Sequence, residues 1–119
     1  MKLPNLAAAV VAEDKFGGYL LSPTHRDGKY KAAFFLAMGF LADAGVDLAL
    51  ALREHAAAHE VTRVENSPFG VRYVVEGILQ TPVGRTPQVR AVWFIETGDD
   101  VPRFVTAYPL KKVQDDQGT

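Results

Sequence analysis

The chain has no cysteine. That excludes a thiol nucleophile, a thiolate zinc site and a disulfide framework, and it fits a cytoplasmic protein. It also has no apolar run of the ~18 residues that a membrane-spanning helix needs, so no membrane partner is expected. The stretch after Met1 lacks an apolar segment set between charges and a small-residue cleavage site, so no signal peptide is expected. A surplus of one charge is missing too. Thirteen Lys and Arg stand against fourteen Asp and Glu, for a formal net charge of −1 and a pI near 6.3. A uniformly basic nucleic-acid coat is thereby excluded, and any contact with RNA needs a local cluster of cations. The glycines Gly17, Gly18 and Gly84 lack the spacing of a phosphate-binding loop and read as turn residues.

What is present is enough for one core. A chain of 119 residues, 48% of them hydrophobic, forms a single domain without staples. Gln88–Leu110 (QVRAVWFIETGDDVPRFVTAYPL) is the organising stretch. Val89, Ala91, Trp93 and Ile95 are apolar, whereas Gln88, Arg90 and Glu96 are polar. This period of two marks a strand with one buried face. Thr97–Pro102 supplies turn residues, and Arg103–Leu110 returns with β-branched and aromatic residues. The inward face of this last strand reads two ways, as Val105 with Ala107 or as Phe104 with Tyr108. Upstream, Glu60–Asn66 and Val71–Leu79 are further strands, joined at Ser67–Gly70 and followed by a turn at Thr81–Pro87. Trp93 is expected in the core.

Before residue 60 the texture is helical. Met1–Val11 is an N-terminal arm with a short strand near Ala9–Val11. Glu13–Leu21 is a short helix, with Phe16, Tyr19 and Leu20 on one face. Ser22–Gly28 is a loop. Lys29–Met38 is the central helix, stopped at Gly39, and Asp43 caps a second long helix, Val46–His59. The expected fold is α+β: two or three N-terminal helices packed on one face of a four-stranded antiparallel β-meander. The domain spans 1–110, and the polar 111–119 form a fraying tail.

Chemistry can come from three places. On the face away from the helices, Arg72, Glu76, Arg90, Thr106 and Tyr108 alternate with core positions. Such a face is either a solvated surface of cross-strand Arg–Glu pairs or a site. His25 precedes the central helix beside Arg26, Lys29 and Lys31. Neighbouring cations would lower its pKa and suit it to proton transfer, and a helix start is a natural phosphate site. His55 and His59, as HAAAH, share one helix face as zinc ligands would. Ala56 stands where a zinc protease carries its glutamate, and no third ligand follows. Two half-exposed histidines at a helix end are therefore the expected reading, with no metal and no cofactor.

The segments KLPN (Lys2–Asn5), GYLLSPTH (Gly18–His25), GKYKAAFF (Gly28–Phe35), YVVEG (Tyr73–Gly77), GRTPQVRAVWFIETG (Gly84–Gly98) and PRFVTAYP (Pro102–Pro109) resemble a bacterial domain family of unknown function over nearly the whole chain. The order of histidine, glycine, lysine, two helices and a meander ending in VTAY also looks like polymorphic and phage-type toxin domains of the barnase–EndoU–colicin–RelE ribonuclease fold. That resemblance implies metal-independent RNA cleavage on the open sheet face. It implies His25 as acid or base, Lys31 with Arg85 or Arg90 stabilising the charged phosphorane, and Thr106 placing a phosphate oxygen. Tyr108 and Arg72 would lie near as substrate contacts. The expected partners are RNA and a neighbour-encoded inhibitor. A protein-binding module without catalysis and a structural homodimer are the alternatives.

Overall fold

The computed structural model describes residues 1–12, 29–41 and 45–110. The expected helix at Glu13–Leu21, the loop with His25, the Asp43 cap and the tail lie outside these residues. Among the described residues the elements are a 3₁₀ turn at Leu6–Ala8, helices α1 (Lys29–Ala37) and α2 (Gly45–Ala58), and strands β1 (Val61–Ser67), β2 (Gly70–Ile78), β3 (Gln88–Glu96) and β4 (Arg103–Pro109). The domain is α+β. Its sheet runs β1-β2-β3-β4, and every neighbouring pair is antiparallel.

Local chemistry explains the helix boundaries. Alpha-helix α1 stops where Gly39 takes φ +98°, a left-handed conformation that glycine adopts without a Cβ clash. Gly39 N–H then donates to Leu36 at 3.0 Å and Phe40 N–H to Phe35 at 3.1 Å. This is a Schellman closure, and its usual apolar contact is present as Phe35 against Phe40, ring centroids 6.2 Å apart. In α2 the buried residues include Leu48, Ala51, Leu52, His55 and Ala56. Their spacing is one helical stripe. One core cluster joins this stripe and Phe35, Met38 and Phe40 to Val75, Leu79, Val89, Ala91 and Trp93. The odd positions of β2 and β3 thus face the helices.

Strand β4 resolves the two phases that its sequence allows, and both hold in part. Val92 pairs with Thr106 and Trp93 with Phe104, so Val105 has no partner across the ladder. This β-bulge shifts the alternation by one residue. Phe104 and Ala107 are therefore both buried, on the two sides of the bulge, while Thr106 and Tyr108 pair with Val92 and Arg90 on the other face.

The arm from Met1 is tied down. Leu3 and Ala9 are buried. Val10 N–H donates to Pro102 at 2.9 Å, and Phe104 N–H donates back to Val10 at 2.9 Å. The strand expected near Ala9–Val11 is this single parallel bridge to Arg103, and it meets the outer edge of β4 at its start. At the opposite end of the sheet Met1 accepts from Val61 N–H at 2.7 Å. Beyond that point, among the described residues, nothing pairs with the outer edge of β1. No helix among them is long and apolar enough to cross a membrane.

Candidate functional site

The sheet face away from the core carries a groove of about 310 Å³. Val74 and Val92 line it from the sheet, and Arg63, Arg72 and Arg90 surround it together with Glu65 and Glu76. The register builds this set. Glu76, Arg90 and Tyr108 form one row across β2, β3 and β4, and Glu65 stands opposite Arg72 on β1 and β2.

Arg90 is the hub. Its Nε donates to Glu76 at 2.6 Å and its Nη1 to the Tyr108 hydroxyl at 3.3 Å. These two bonds, the one to Tyr108 foremost, hold its guanidinium above its ordinary pKa. Lys31, from the first turns of α1, reaches across to donate from Nζ to Thr106 Oγ1 at 3.0 Å. The same ammonium lies 5.5 Å from the centroid of the Tyr108 ring, and the Arg90 guanidinium 5.7 Å from it. Both distances are within cation–π range. Lys31, Thr106, Tyr108, Arg90 and Glu76 therefore form one contiguous chain of contacts.

Of the residues singled out from sequence, the fold brings together Lys31, Arg90, Thr106 and Tyr108. Arg72 lies on the same groove and faces Glu65 at 3.9 Å. Arg85 is not part of the cluster. It sits exposed in the turn between β2 and β3, and its main-chain carbonyl accepts from the Thr81 hydroxyl at 2.7 Å. His25 lies outside the described residues. Arg63 and Glu65, paired with each other at 2.9 Å, belong to the groove but were passed over in the sequence. The alternation of Arg63, Glu65 and Ser67 on β1 was the signal that could have found them. Chemically, the cluster offers cations and hydroxyls to an anionic oxygen, while carboxylates partly neutralise its arginines.

Of the two histidines expected half-exposed at the end of α2, His59 is so and His55 is not. His55 is buried, only 3% exposed, because the Ala51–Leu52–Ala56 stripe presses α2 onto the sheet. Its Nε2 lies 3.1 Å from the Gly77 carbonyl oxygen and 3.0 Å from that of Val89. His59 Nε2 lies 2.9 Å from the Ile78 carbonyl. Backbone oxygens accept only from N–H, which fixes the protonated nitrogen in both neutral rings. A Cβ on Gly77 would collide with the His59 ring, so only glycine fits beneath it. Among the described residues no three metal-binding side chains come together.

Burial, and then the charge of His59, lowers the His55 pKa from 6.5, against the opposing pull of the two carbonyls. Above that value neither the folded nor the unfolded chain protonates this ring, and stability does not depend on it. As pH falls through 6.5 the unfolded chain takes up a proton that the fold resists, so stability drops. The urea midpoint is expected to fall between pH 7 and about 5, and to fall less in His55→Gln. Equal pH slopes for the two proteins would contradict this reading.

Fold and site together define a small α+β domain with an open antiparallel sheet face bearing clustered cations. The chain belongs to the family described as Domain of unknown function (DUF6883), which matches residues 2–111. No curated protein matches it. Among solved structures it resembles a chain of a contact-dependent growth inhibition toxin–immunity protein complex from Klebsiella pneumoniae 342. The TM-score is 0.69 at 16% identity, over 89% of this chain and 97% of that one. At that identity the likeness is one of fold.

Proposed function

We propose that this domain is a toxin-like module that binds RNA across its open sheet face and cleaves it without a metal. The observation that carries the reading is the contiguous set Lys31, Thr106, Tyr108 and Arg90 beside the groove. In the reaction a base removes the 2′-OH proton and O2′ attacks phosphorus. The 5′ oxygen then leaves with a proton from an acid. His25 supplies one of these proton transfers. Lys31 and Arg90 stabilise the charge that develops on the phosphorane oxygens, and Thr106 positions one of them. Tyr108, Arg72 and Arg85 contact the flanking strand. Binding a phosphate requires Arg90 to share or exchange Glu76, a partly exposed pair of the kind worth about 1 kcal/mol or less. In this reading the domain acts in the cytoplasm and is held in check by a neighbour-encoded inhibitor.

A second reading has its own support. Each groove arginine already meets a carboxylate, and the structural neighbour comes from a toxin–immunity protein complex. On this reading the face holds a small partner protein and does no chemistry. Purified protein incubated with a mixed RNA pool in chelator separates the two. Cleavage is expected, with a rate that varies with pH through a histidine. Intact RNA across pH and RNA types would leave the binding module standing.

A further inference from the structure

We propose that the outer edge of β1 is a self-association surface, on which a second copy of this chain adds its own β1 antiparallel about Val64. Beyond Val61, no described residue pairs with this edge. β1 is seven residues long, contains no proline or lysine, and is exposed from Thr62 to Ser67. Its hydrogen-bonding pattern follows from the hairpin. Ser67 and Gly70 enclose the two-residue turn Pro68-Phe69 and pair with each other, so Ser67, Glu65 and Arg63 bond inward to β2. The N–H and C=O of Val64 and Asn66 then point outward, away from the sheet. Unpaired groups of this kind are a template for another strand.

Charge selects the occupant and its register. With a two-fold axis at Val64, Arg63 of each copy stands opposite Glu65 of the other, and each Val64 exchanges two backbone hydrogen bonds with its counterpart. Asn66 falls beside Thr62, where the β1–β2 register shifts, and Met1 ends the pairing at Val61. Outward-bonding residues can meet only at registers two apart. Moving the axis to Arg63 places arginine against arginine, and moving it to Glu65 places glutamate against glutamate. Like charges directly opposite destabilise a pair. The two charges of β1 therefore reject the adjacent registers and favour this one. Arg63 and Glu65 share the groove face, so the pairing joins the grooves of two copies into one continuous surface. This proposal does not depend on RNA cleavage.

A five-residue strand contact is small, in the class of weak associations. The test is therefore sedimentation of the full chain from micromolar to submillimolar concentration. Wild type is expected to move from the 13.0 kDa chain mass toward twice that value. Arg63→Glu, at an exposed position, sets glutamate against Glu65 at both ends and is expected to abolish the dimer while leaving the melting curve in place. Combining it with Glu65→Arg restores opposite charges and should restore the dimer. Val64→Pro removes the central donor and should also give a monomer. A monomer at every concentration would overturn the proposal. A dimer indifferent to Arg63→Glu and Val64→Pro would place association elsewhere, and a doubly substituted chain that stays monomeric would refute the register.

Discussion

Trp93→Ala is expected to destabilise the domain by about 3–5 kcal/mol. Trp93 is fully buried at the centre of β3, with its ring edge-on to Phe104 at 5.5 Å between centroids. Its Nε1 meets no hydrogen-bond partner among the described residues, so what the ring contributes is packing, less the cost of that donor. Alanine leaves a cavity in the cluster that Trp93 shares with Phe35, Leu48, Val75 and Phe104, and a core packed this closely collapses only in part. Small domains hold only about 5–15 kcal/mol in all, so the loss is a large share of the total. The expected result is a much lower urea midpoint at an unchanged m-value. Trp93→Phe, which keeps an aromatic ring against Phe104 and removes the unsatisfied donor, should lose less. A midpoint barely moved by alanine would show that the ring is not the keystone of the core.

His25→Ala is expected to slow RNA cleavage by about 10²–10⁴-fold, the range for removing a general acid or base. Lys31→Ala should lose about 10²–10³-fold, as for one donor to a developing oxyanion. The two losses differ in kind. The histidine variant should also lose one limb of the pH–rate profile, whereas the lysine variant should keep the profile and lower it throughout. Thr106→Ala removes the hydroxyl that Lys31 meets at 3.0 Å and should act like a milder Lys31→Ala. Cleavage undiminished in all three variants would point to a contaminating nuclease. Loss in Thr106→Ala with none in His25→Ala would move the proton transfer to another residue.

Much of the fold is legible in the sequence because the period-two pattern of Val71–Leu79 and Val89–Ile95 reports burial directly. The short turns at Ser67–Gly70 and Thr97–Pro102 leave little choice of pairing. The inward face of β4 was not legible, because a bulge is a property of two strands and Val105 becomes unpaired only once Val92 and Trp93 have chosen partners. Arg90 beside Glu76 could be anticipated as a cross-strand pair. Lys31 beside Thr106 could not, since 75 residues separate them and only the docking of α1 near β4 brings them together. His55 was misjudged for a related reason. The alanines around it are equally compatible with an exposed helix end and with a tight approach to the sheet, and only the sheet's position distinguishes the two.

The bridge from Val10 to the start of β4 bears on the stoichiometry of any edge-to-edge assembly. A sheet with two open edges can add copies without end, whereas one sealed on one side stops at a pair. Val10 occupies the start of the β4 edge through its bonds to Pro102 and Phe104, whereas beyond Val61 no described residue pairs with the outer edge of β1. Deleting residues 1–12 would expose the start of β4, and if the shortened chain still unfolds cooperatively despite losing Leu3 and Ala9 from the core, light scattering should report particles growing with time and concentration in place of a dimer. If copies do pair edge to edge, the arm from Met1 to Val10 is what biases them toward a closed pair, because it already holds the end of β4 where a further strand would begin.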